Sequence, residues 1–139
     1  MDPGLLLQQI DRCLAGDEKR PRDHWMVEAK GMAEYRAGRM EQALEWLRKA
    51  ESLLHEQGEF EDANKIINFF FLSMAYQRLN RADEAKAKYQ QGLRQMEKTF
   101  GGLDQYQLGK GEWFDWPWCQ VVRREAEALL RGNEAGKKP

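Results

Sequence analysis

The sequence predicts an all-α fold: antiparallel helical hairpins, preceded by one helix and closed by a C-terminal capping helix. Three observations carry this. Apolar residues over 68–98 recur at i, i+3, i+4 and i+7, the spacing of a helix that buries one face. A second segment, from about His24 to Gln57, repeats the same helix–turn–helix pattern. No convincing strand interrupts either one.

Composition narrows the class further. A chain of 139 residues is long enough for one domain with a core. Hydrophobic residues at 42% and charged residues at 32% suit a small helical domain with a large solvated surface. The 22 basic and 23 acidic residues leave a net charge of −1, which argues against a partner bound through nucleic-acid phosphates. Arg123, Arg124 and Arg131 are a candidate local basic patch. No apolar run approaches the roughly 18–20 residues of a membrane span. Leu5-Leu6-Leu7 follows Asp2-Pro3-Gly4 without a basic start, so it does not read as a secretory signal. Cys13 and Cys119, far apart in sequence, read as reduced core thiols, and the expected location is the cytoplasm.

Asp2-Pro3 opens the first helix, with Asp2 as N-cap and Pro3 at the first helical position. Leu6, Leu7, Ile10, Cys13 and Leu14 line one face, and Gly16 is its stop. The run from Asp17 to Arg22 is a solvated loop, and this first helix caps the hairpins. Asp23 caps a second helix from about His24 to Ala37. Gly38 ends it, and a third helix runs from about Met40 to Gln57. Gly58 is the expected break after it, and Asp62 the cap of the next helix.

The hairpin over 68–98 is the clearest element. Its first helix carries Phe69, Leu72, Ala75 and Tyr76, with Phe70, Phe71 and Met74 beside them. Leu79, Asn80 and Arg81 make a tight turn. The second helix, ending near Lys98, carries Ala85, Tyr89, Gly92, Leu93 and Met96. Ala75, Ala85 and Gly92 stand where two helices approach closely. Gly101, Gly102, Gly109 and Gly111 mark residues 99–112 as a loop. Asp115 caps a last helix with Pro117 in its first turn. Trp118, Val121/Val122, Glu125/Ala126 and Leu129/Leu130 form its apolar stripe, and Gly132 closes it. The domain is therefore read as 1–132, with 133–139 a frayed polar tail.

The segment over 68–98 resembles a tetratricopeptide (TPR) repeat, a helical hairpin of about 34 residues. Phe69, Leu72, Ser73, Tyr76, Asn80, Ala85, Tyr89 and Gly92 carry the resemblance. Gly31, Gly38, Ala43, Leu47 and Ala50 carry it in the first hairpin, where Lys30 and Glu34 replace the preferred Leu and Tyr. Ala43 and Ala85 lie 42 positions apart, so the spacing exceeds the usual one, and the surplus falls in 54–65. Residues of about 24–132 resemble the C-terminal TPR tails of large bacterial multidomain proteins. The resemblance implies two stacked repeats and a scaffold that binds protein.

Chemistry is sparse. His24 and His55 have no Cys, His or Asp at ligand spacing, so no metal or other cofactor is expected. Ser52 and Ser73 lack the flanking motif of a nucleophile. The carboxylates from Glu41 to Asp62 read as helix surface. The chain is therefore read as a non-catalytic interaction module that binds a peptide or helix of a partner protein. By the resemblance, its concave groove is lined by Trp25, Glu28, Ala29, Met32, Tyr35 and Arg36, then by Ile67, Phe70, Phe71, Met74, Gln77 and Arg78. The alternative is a homodimer formed through exposed aromatic faces. A third arrangement also stands: the last helix, with Trp113, Phe114, Trp116 and Trp118, folds back and fills the groove.

Overall fold

The computed structural model describes residues 2–15, 24–56, 62–103 and 115–135. Every regular element among them is a helix: α1 (Pro3–Ala15), α2 (His24–Arg36), α3 (Met40–Glu56), α4 (Asp62–Arg78), α5 (Ala82–Phe100) and α6 (Asp115–Ala135). The fold is all-α. The expected stops and loops at 16–23, 57–61 and 104–114 lie outside the described residues.

The helix ends follow from local chemistry. Asp2 caps α1, its Oδ1 accepting the Gly4 N–H at 2.9 Å. The turns of the two hairpins are built alike. Gly38 takes a φ of 83° and Asn80 a φ of 60°. In each turn two amide groups reach back to free carbonyls: Arg39 to Glu34 and Gly38 to Tyr35, then Arg81 to Tyr76 and Asn80 to Gln77. Helix α5 runs two residues past the expected end at Lys98, because the buried Phe100 anchors its last turn. Gly101, with φ 80°, then stops it by donating to the Glu97 carbonyl. Helix α6 continues to Ala135 rather than closing at Gly132. Nothing lies within 4 Å of where a Gly132 side chain would start, so no neighbour forces a break there.

Packing builds two hairpins, α2 with α3 and α4 with α5, and lays α3 against α4. Small residues set the closest approaches. A Cβ on Gly31 would sit 2.7 Å from Leu47, and one on Gly92 would sit 2.7 Å from the Phe70 ring. Ser73 fits the same logic: its hydroxyl donates to the Ala85 carbonyl at 2.8 Å. Between the hairpins, the Asn68 side-chain amide donates to the Leu47 carbonyl at 3.0 Å. Lys88 reaches Glu51 at 2.8 Å. Helix α4 is the centre, with Ile66, Phe70, Leu72, Met74 and Ala75 all fully buried.

Helix α1 explains the two residues that break the repeat pattern in α2. Lys30 and Glu34 are buried, as Leu and Tyr would be, but the helix opposite them carries Asp11. Lys30 Nζ lies 2.6 Å from Asp11 and 3.2 Å from Glu34, whose other oxygen meets Arg39. Four charges of alternating sign thus neutralise one another beside a small apolar contact of Leu7 and Ile10 with Ala33. Two charges taken out of water are tolerated only where each has such a partner.

Candidate functional site

The expected groove lies on the side where α2 and α4 meet, and α6 covers it. Helix α6 packs on α4, with a smaller contact on α5. Cys119, Val122 and Ala126 are buried in the common core, and Trp116 and Leu129 are partly buried against it. The Cys119 Sγ lies 4.0 Å from the Ala63 carbonyl on α4. Glu125 reaches α2, where both its oxygens accept from the Arg36 guanidinium, one of them at 2.8 Å. Cys119 meets Ala63 at the start of α4, while Glu125 meets Arg36, which lies over Phe71 further along α4, so α6 runs in the same direction as α4.

This placement corrects most of the expected groove lining. Ile67, Phe70, Phe71, Met74, Tyr35, Glu28 and Gln77 are all buried, and none offers its face to a partner. Phe70 is not a groove residue at all. Its ring faces α5, 5.7 Å from Tyr89 and against Gly92, so it belongs to the interior of its own hairpin. Met32 is partly buried against the same core. The residues left accessible are Trp25, Arg36 and Arg78. Arg36 and Arg78 flank one aromatic pair, Tyr35 and Phe71, whose rings meet edge to face at 5.5 Å. The Arg36 guanidinium carbon lies 5.4 Å from the Phe71 ring centre and 5.6 Å from that of Tyr35. Arg78 Nε donates to the Tyr35 hydroxyl at 2.9 Å. The ion pair with Glu125 reinforces the charge on Arg36, pushing its pKa upward against the effect of burial.

Of the expected apolar stripe of α6, Val122, Ala126 and Leu129 face the core, but Cys119 takes the place of Trp118. Trp118 and Val121 point outward, 52% and 58% exposed, while Cys119 and Val122 point in. Both readings have the same helical spacing. Hydrophobicity alone favours Trp118, yet it is Trp116, one turn before Cys119 in the same row, that packs against the core. Burial pushes the Cys119 thiol up to about 12, with Asp115 and Glu28 adding to the shift. Cys119 is a free thiol and is buried. The side chain of Cys13, and Trp113 and Phe114, lie outside the described residues. So does the expected glycine-rich loop beyond Leu103.

Two surface clefts lie away from α6. One, of about 200 Å³, is lined by Glu51, Leu54, Lys65, Asn68, Phe69 and Gln95. The other, of about 420 Å³, lies by Glu41, Leu44, Glu45, Arg48, Leu79 and Arg81. Glu41 and Glu45 are both exposed there with arginines interleaved, an arrangement of a solvated surface. Among the described residues no three His, Cys, Asp or Glu side chains are placed to hold a metal ion. No described helix is long and apolar enough to cross a membrane.

The class that fold and site define is an all-α protein of two helical hairpins whose last helix packs on the second hairpin and is ion-paired to the first. Comparison with protein-family models, with curated proteins and with solved structures gives no match.

Proposed function

We propose that this chain is a non-catalytic protein–protein interaction module, a TPR-type scaffold whose α2–α4 face receives an amphipathic helix from a protein partner in the cytoplasm. One observation carries the reading: that face already holds such a helix. α6 is seated by Cys119, Val122 and Ala126 at i, i+3 and i+7, and by a forked Arg36–Glu125 pair at its flank. This is how a groove reads a helix, by an apolar stripe for affinity and a charge for register. Its own helix therefore indicates what the face recognises: small aliphatic side chains on the stripe and a carboxylate one position before the last of them.

The test uses the full chain. Val122→Asp places a charge in the seat and releases α6 without altering α2 or α4. A fluorescein-labelled peptide of residues 115–135 should then bind saturably, read by anisotropy, while wild type takes it up far more weakly. Tethering gives the native helix an effective concentration on the order of millimolar. No saturable binding by a variant that keeps its helical circular dichroism refutes the reading. If Val122→Asp unfolds, Val122→Ala with Glu125→Ala replaces it. A second reading, self-association into a homodimer, is favoured by the outward Trp118, Val121 and Trp25, side chains of the type that anchors interfaces.

A further inference from the structure

We infer that the helix this face receives from outside is α6 of a second copy, exchanged reciprocally so that each chain seats the other's last helix. The inference rests on the reading that the α2–α4 face binds an amphipathic helix. Three features of the chain lead to it.

The first is the seat itself. Every contact that holds α6 is available unchanged to the same helix of another molecule. The Arg36 fork takes Glu125, α4 takes Cys119, Val122 and Ala126, and Arg123 Nη1 holds the Leu103 carbonyl at 2.9 Å. Exchange of an identical element costs few contacts and closes with two-fold symmetry.

The second is reach. Eleven residues separate Leu103 from Asp115. An extended chain of that length spans about 40 Å, more than the diameter of a small domain. Connectivity therefore permits the seat on a neighbour as well as the seat in cis.

The third is the outer surface of α6. A terminal helix that served only as a cap would bury its large apolar side chains and expose its polar ones. Here Trp118 and Val121 are exposed on the outer face, although Trp116, Cys119, Val122, Ala126 and Leu129 face the core. The last turn of α2 lies beside the later half of α4, where Tyr35 meets Phe71 and Arg78. Helix α6 starts beside Ala63 at the start of α4, so Trp25 at the start of α2 lies toward the end at which α6 begins. That end is where the chain enters α6. In an exchanged pair the exposed Trp25, Trp118 and Val121 are the apolar surface left for the second copy to cover.

The experiment is a charge exchange in two full-length variants, Arg36→Glu and Glu125→Arg. In either variant alone, groove and helix carry like charges, so seating is opposed in cis and in a homodimer alike. In a mixture, reciprocal exchange restores both ion pairs: Arg36 of one chain meets Glu125 of the other, and the introduced Glu and Arg meet at the second seat. Light scattering over a concentration series should show a mixed species of twice the monomer mass. Its dissociation constant should be about tenfold or more below that of either variant alone, given the modest worth of each exposed pair and its like-charge counterpart. Should either variant lose helical circular dichroism, Arg36→Ala mixed with Glu125→Ala restores one pair and gives the same sign. A mixture that stays monomeric over the range overturns the inference. So does a dimer of either variant alone as tight as the mixed one, since that dimer uses another face. The peptide measurement separates the two levels. Peptide bound by Val122→Asp, with no mixed dimer, removes the exchange and leaves the helix-binding face. Peptide not bound removes both.

Discussion

The seat of α6 makes a pH-dependent contribution to stability that Cys119 alone should report. Burial under α6, with Asp115 and Glu28 nearby, raises its thiol to about 12. An unfolded cysteine titrates near 8.5. The native state therefore keeps its proton over a range where the unfolded state loses it. A group raised in the folded state contributes stability that is complete below the unfolded pKa and fades as pH rises toward the folded one. At pH 10 the unfolded thiol lies about 1.5 units above its pKa and the buried one is still protonated. The loss is then about 2 kcal/mol, at 1.36 kcal/mol per unit. Lysines and tyrosines also begin to titrate there, Tyr89 among them, its pKa raised first by desolvation and then by Glu127. The comparison must therefore be a difference. Urea unfolding of wild type and of Cys119→Ala, each at pH 8 and pH 10, isolates the thiol. The wild type should lose about 2 kcal/mol more than the variant between the two pH values. Equal losses would refute the reasoning, and rapid reaction of the native thiol with Ellman's reagent at pH 8 would locate the error in the seating of α6.

Two further outcomes come from the packing. Gly92→Ala gains about 1 kcal/mol of helix propensity, but its Cβ falls 2.7 Å from the fully buried Phe70 ring, and overpacking of that kind costs about 1–3 kcal/mol. The net change in urea unfolding should be destabilising and should be relieved in the Gly92→Ala, Phe70→Leu double variant. Gly132→Ala, with nothing within 4 Å, should instead stabilise by up to about 1 kcal/mol. In α2, Lys30→Ala strands the buried Glu34 with Arg39 alone and should cost about 3 kcal/mol in thermal or urea unfolding. Asp11→Ala should cost less than about 1 kcal/mol, because Asp11 is 59% exposed and Lys30 keeps Glu34. Equal losses from the two would mean that Glu34 is not a sufficient partner for Lys30 and would refute this division.

The hairpins were legible because their determinants are local. Period, turn chemistry and small residues all lie within one pair of helices. They located α2 through α5 to within two residues at the ends that the structure describes, with the expected cap Asp62 standing as the first residue of α4. The misread ends depended on tertiary contacts. Lys98 resembles a terminus until Phe100 is seen to be buried, and Gly132 resembles a stop unless the helix has open solvent around it. Lys30 and Glu34 read as decay of the repeat pattern for the same reason. Their partner, Asp11, stands on another helix nineteen positions before Lys30.

The site was less legible, and the reason is physical. A row of aromatic residues on an inner helix is equally compatible with an open groove and with one already filled, since both bury the row against apolar side chains. Only the occupant decides, and its inner row is Trp116, Cys119, Val122 and Ala126 with Leu129 beyond, so Trp118 lies on the outer side despite its large apolar area. The misread place of Trp118 and the misassigned groove are therefore linked, because both turn on how α6 is seated. Reading the small residues of α6 as the contact row, as Ala85 and Gly92 were read in α5, would have placed Glu125 beside α2 and left Trp118 and Val121 on the outside. What remains exposed after that correction is a tryptophan–valine pair at the end of the helix where the chain enters it. That pair is an exposed apolar surface separate from the α2–α4 face on which α6 is seated.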